Sequence, residues 1–78
     1  MPTVMRIHGY RFFFYSNEGS EPPHVHVEHA GMIAKFWLAP VESAGRSAFD
    51  ARRIRLLETI VARHEFLILE AWHEHSDR

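Results

Sequence analysis

The run Pro22-Pro23-His24-Val25-His26-Val27-Glu28-His29-Ala30-Gly31-Met32-Ile33-Ala34-Lys35-Phe36-Trp37 decides the fold. The prolines force an extended entry. Alternation along the strand that follows sets His24, His26 and Glu28 on one face and Val25 and Val27 on the other. A two-residue loop at Ala30-Gly31 leads into a second strand, Met32 to Leu38, which Pro40 ends. That loop pairs His29 with Met32, Val27 with Ala34, His26 with Lys35, Val25 with Phe36 and His24 with Trp37. A four-residue loop gives the same partners, and a three-residue loop breaks them. Directly opposed residues share a face. One face therefore carries Val25, Val27, Ala34 and Phe36, a seat for helices. The other carries His24, His26, Glu28, Ile33, Lys35 and Trp37 and is predicted to stay clear of the helices. Lys35, the only lysine of the chain, falls beside His26.

Upstream, Thr3 to His8 and Tyr10 to Ser16 are β-rich runs flanking Gly9 and read as another hairpin. The aromatic run Tyr10-Arg11-Phe12-Phe13-Phe14-Tyr15 is apolar on both sides, which suits a central strand. Asn17 to Pro23 is a loop. Downstream, the period changes from two to 3.6 at Asp50, an N-cap for a helix from Ala51 to about Arg63 with Ile54, Leu57 and Val61 on its buried stripe. A break near His64 precedes a second helix, Glu65 to about His75. Phe66, Leu67, Ile68, Leu69, Ala71 and Trp72 make it apolar around most of its circumference, so it is expected to be buried on several sides. The expected architecture is a single α+β domain over residues 1–78. A four-stranded antiparallel sheet of two hairpins is followed by two C-terminal helices packed on one face.

At 78 residues there is room for one core, and a chain this small buries only about 60% of its unfolded surface, so a partner would add stability. A 46% hydrophobic content argues against disorder, and a net charge of −1 provides no bulk attraction for nucleic acid. Without cysteine there are no disulfides, thiol catalysis or cysteine zinc sites. Met1-Pro2-Thr3-Val4 does not resemble a signal peptide, and no apolar run approaches membrane-spanning length. The expectation is a soluble, cytoplasmic domain.

Two imidazoles about 7 Å apart along a strand can serve several chemistries. In one reading His24 and His26 act as general acid and base on an RNA phosphodiester. Lys35 then stabilises the developing charge, and Trp37 or Tyr15 stacks a base. In a second they bind a metal with Glu18, Glu21, Glu28 or His29; the neighbouring lysine opposes this, and no metal or other cofactor is assigned. A third makes the face a polar protein interface. A fourth makes the histidines ordinary hydrogen-bonded side chains.

On the first helix, Arg52, Arg55 and Arg63 fall within about 80° of one another, opposite the apolar stripe, with Thr59 between them and Arg46 just upstream. Glu58 lies off this ridge and leaves its centre unneutralised. The ridge is either a solvated face or a site for phosphate or a partner. Near the C-terminus, His73 and His75 point about 200° apart on a helix and cannot share one ion.

The chain resembles the domain of unknown function 4160 family of small bacterial proteins. The resemblance rests on Met1-Pro2-Thr3, Arg11-Phe12-Phe13-Phe14-Tyr15-Ser16-Asn17, Pro22-Pro23-His24-Val25-His26-Val27, Ala34-Lys35-Phe36-Trp37-Leu38 and Leu69-Glu70-Ala71-Trp72. It implies a bacterial cytoplasmic protein, often encoded beside another small protein and associated with toxin–antitoxin modules. Where family members often carry Asp-His, this chain has Glu18-Gly19. Two expectations follow. Either the His24/His26/Lys35 face contacts RNA, as a metal-independent endoribonuclease, or the chain is a non-catalytic antitoxin or adaptor that holds protein or DNA through its arginines. The partners expected are a cognate small protein encoded nearby, RNA, or a second copy of the chain, with no membrane.

Overall fold

The structure, a computed structural model, describes residues 3–16 and 20–76. Met1, Pro2, Asn17, Glu18 and Gly19 lie outside the described residues, and with them part of the expected loop and one expected metal ligand. Among the described residues the elements run β1 (Thr3–Ile7), β2 (Tyr10–Phe13), β3 (His24–His29), β4 (Met32–Trp37), β5 (Glu42–Ala44), α1 (Ala51–Arg63) and α2 (Glu65–Ser76). The sheet has five strands in the order β1-β2-β3-β4-β5, each antiparallel to its neighbours. The α+β class and the two C-terminal helices agree with the sequence reading; the count of four strands does not. The extra strand, β5, pairs Ala44 with Lys35 and Glu42 with Trp37. Its three residues carry neither alternation nor β-branching, so nothing local announces it.

The two central hairpins turn on two residues each, His8-Gly9 and Ala30-Gly31, all four with φ between 49° and 83°. That left-handed pair is what a hairpin matched to the strand twist requires. The Ala30-Gly31 turn fixes the β3–β4 register His24↔Trp37, Val25↔Phe36, His26↔Lys35, Val27↔Ala34, as expected. β2 lies between β1 and β3, and Phe12, Phe13 and Phe14 are all buried, which accounts for its aromatic character on both faces.

α1 begins at Asp50, whose Oδ1 accepts from the Arg53 backbone N–H at 2.8 Å. It ends at His64, which joins the two helices: its backbone N–H donates to Ile60 and Val61, and its carbonyl accepts from Ile68. Leu57 and Val61 of α1 and Ile68 and Trp72 of α2 pack with Phe12, Phe14, Val25, Val27, Ala34 and Phe36. Here α2 departs from expectation. It buries only Ile68 and Trp72 fully, with Leu69 and Ala71 partly covered, and leaves Phe66 76% and Leu67 48% exposed. One sheet face can cover only one side of a helix, whatever the helix's composition. Among the described residues no helix is long and apolar enough to cross a membrane.

Candidate functional site

Alternation and register bring the five sheet-face residues singled out above together. His24 and His26 have ring centroids 5.1 Å apart. Tyr15 meets the His26 ring edge-on at 4.5 Å, and Trp37 meets His24 edge-on at 5.7 Å. Lys35, opposite His26, sets its Nζ 4.4 Å from the centre of the Trp37 ring. Both imidazoles lie on the face away from Val25 and Val27, so the register stands.

The cover over that face differs from expectation. His24 is 0% exposed and His26 9%. Trp72 of α2, at the end of the sheet where β3 begins, has its ring 4.9 Å from that of His24. The face is therefore not clear of the helices. Phe13, opposite His26, is also buried, with Arg11 over its ring at 4.1 Å. The result is a second, smaller aromatic layer of Phe13, Tyr15, His24, His26, Trp37 and Trp72.

Ion pairs close this layer from outside. Arg11 donates through Nε and Nη2 to one oxygen of Glu28, at 3.2 and 2.9 Å. Lys35 Nζ donates to Glu21 Oε1 at 2.7 Å, and the same oxygen lies 3.7 Å from Nε2 of His24. Lys35 thus faces a carboxylate at the rim. Pairs this exposed are worth at most about 1 kcal/mol each, so they close the layer weakly.

His24 donates its Nδ1–H to the Pro22 carbonyl at 2.9 Å. A carbonyl can only accept, so this contact assigns the proton to Nδ1. The Leu38 backbone N–H donates to Pro23 O at 3.0 Å, so the proline entry is held from two sides. The same device recurs. A ring N–H of His29 donates to Gly9, that of His64 to Ile60 and that of His75 to Tyr15, each to a backbone carbonyl.

Two of the expected metal ligands are engaged elsewhere. Glu28 is committed to Arg11. His29 alternates to the opposite face and stacks on Tyr10 at 4.3 Å. Among the described residues no three His, Asp or Glu side chains are placed to hold an ion. His73 is exposed while His75 turns to Tyr15 and Phe14, consistent with their opposed directions on α2.

Arg52, Arg55 and Arg63 lie apart from this layer, on the side of α1 turned away from the sheet, and all three are exposed, as is Arg46. Among the described residues none of the three forms an ion pair. Glu58 is turned to the sheet, its Oε2 accepting from the Ser43 backbone N–H at 3.3 Å. Leu56, at the edge of the ridge beside Arg63 by its helical position, is 52% exposed.

Phe13, Arg11 and Trp72 at the histidines, and Leu56 on the ridge, are the residues that sequence reasoning missed, while Glu21 was expected there only as a metal ligand. The first three arrive by strand pairing and long-range packing that no local pattern encodes. Leu56 was legible, since helical periodicity sets it beside Arg52 and Arg63 and off the apolar stripe.

Comparison with known proteins bears on the whole of this arrangement. No curated protein and no solved structure matches the chain. A family model described as Domain of unknown function (DUF4160) matches residues 9–73, which include the aromatic strand, the histidine hairpin and both helices up to His73. The chain belongs to that family.

Proposed function

We propose that this chain is a non-catalytic protein-binding module, an antitoxin or adaptor in the toxin–antitoxin setting that the family resemblance implies, which holds its partner through the outer face of α1. The observation that carries this reading is the composition of that face: Arg52, Arg55 and Arg63 exposed, with a half-exposed Leu56 at their edge and Glu58 turned away. Guanidinium groups recognise carboxylates through paired hydrogen bonds, and a leucine beside them adds the apolar surface that a protein interface uses. Phosphate recognition has no need of that leucine. The test is co-expression with the small protein encoded beside it. Arg52→Ala/Arg55→Ala should break the co-purified complex and leave the isolated fold intact; an unchanged complex reduces the ridge to a solvated surface. Binding to nucleic acid that weakens with salt, each removed arginine flattening the dependence by about one unit of slope, would assign the ridge to phosphate instead.

A second reading keeps RNA at the histidine face, with His24 and His26 as acid and base, Lys35 stabilising charge, and Tyr15 and Trp37 stacking bases. The close grouping of these five side chains favours it. It requires the layer to open, because a general acid or base must reach the proton it transfers and His24 is fully covered. RNA cleavage with a bell-shaped pH profile that persists in chelator and is lost in His24→Ala/His26→Ala would support it. Cleavage abolished by chelator and restored by zinc or manganese would point to a metal. No cleavage and no growth effect on expression leaves the binding module.

A further inference from the structure

We infer that the α1 ridge is occupied by a second copy of this chain, whose α2 carries the complementary surface. This rests on reading the ridge as a protein-docking face. At 100° per residue, Phe66, Leu67, Glu70 and Glu74 share about a 100° arc of α2, and all four are exposed. Beside that arc a groove of about 530 Å³ runs between α2 and the start of β1. Val4, Phe14, Leu67 and Ala71 line it with apolar surface, and Glu70 and Glu74 add two carboxylates. The ridge has the opposite charge, with Leu56 as its apolar edge beside the guanidinium groups. With a net charge of only −1, the chain has sorted its charges by helix: basic on the outer face of α1, acidic on that of α2.

A ridge cannot fill the groove of its own chain. Both helices press their inner sides against one sheet, and their outer faces turn to solvent. Between two copies the match is reciprocal: each ridge meets the other's groove, and a twofold axis closes the pair without leaving a complementary surface free to propagate. Leu56 then sits over the apolar lining, and the arginines reach Glu70 and Glu74. A domain of this size gains from such burial, because it covers so little of its own surface.

The experiment is sedimentation or light scattering of the full chain over a dilution series. The mass should rise from monomer to dimer with concentration and fall again with added salt. Glu70→Arg/Glu74→Arg and Arg52→Glu/Arg55→Glu should each keep the helical signal, and the melting temperature at dilutions where the parent is monomeric, while weakening self-association by about tenfold or more. Mixing the two variants should restore it, since the unchanged basic ridge of one meets the unchanged acidic groove of the other, and the two reversed surfaces match as well. A monomer at every concentration, self-association indifferent to both reversals, or a mixture that stays dissociated would each overturn the inference. If the chain is monomeric yet Arg52→Glu/Arg55→Glu still releases the neighbouring small protein, self-pairing falls and the docking role of the ridge stands. A dimer that needs both surfaces, with no complex to a neighbouring protein, supports self-pairing alone.

Discussion

The histidine hairpin and the helical pair invert each other's chemistry. In β3, two polar rings are sealed among aromatic side chains, His24 completely. In α1 and α2, three large apolar side chains, Leu56, Phe66 and Leu67, stand in solvent. A polar group is buried where its hydrogen bonds can be met, as the Pro22 carbonyl meets that of His24 Nδ1. Exposed apolar surface on a small domain points to a partner. On the binding reading proposed above, the polar region serves as structure and the apolar region as the surface to be covered.

Four substitutions would break or sharpen that contrast. Leu57→Ala supplies the reference for a fully buried side chain and should cost about 2–5 kcal/mol in denaturant melts. A loss below about 1 kcal/mol would move Leu57 out of the core. His24→Ala should come close behind, at about 2–4 kcal/mol, because it opens a cavity under Trp72 and strands the Pro22 carbonyl. If instead it melts like the parent and abolishes an RNA-cleaving activity, the histidines belong to chemistry and the contrast dissolves. Arg11→Ala removes both the cover over Phe13 and the partner of Glu28, and should cost about 1 kcal/mol. Smallest is Leu56→Lys, which should change unfolding stability by no more than about 0.5 kcal/mol while lowering affinity for whatever covers the ridge. A large destabilisation there would show that Leu56 packs internally, and the exposed half of the comparison would fail.

Much of this was legible in the residues. The Ala30-Gly31 turn with its flanking alternation determined the β3–β4 register, and Asp50 and His64 marked the ends of α1. Alternation reports which face a side chain takes but is silent on what lies over that face. His24 is covered by Trp72, 48 positions further along the chain, and by aromatic residues that β2 brings alongside, so its burial could not be read locally. β5 escaped because a three-residue edge strand is held by its neighbour and not by its own propensity. On α2 the error ran the other way: an apolar circumference promised burial on several sides, but the single sheet had only one to offer. The arginines were placed correctly because their disposition depends only on helical periodicity.

Seven histidines in 78 residues invite a search for a metal or a nuclease. Four of them are occupied in lending a ring N–H to a backbone carbonyl: Pro22 in the entry to β3, Gly9 in a hairpin turn, Ile60 in the last turn of α1 and Tyr15 beyond the end of β2. Three of these places lie outside regular ladder bonding, while the Ile60 carbonyl also accepts the His64 backbone N–H. At those three the imidazole does the work of a missing strand or turn, stitching loose chain to the nearest framework. A histidine-rich composition can thus measure how often a short polypeptide interrupts its own secondary structure. In such a protein asparagine or glutamine, also side-chain N–H donors, would be the informative replacement: a fold that survives His29→Asn and His75→Gln needs the stitch and not the ring.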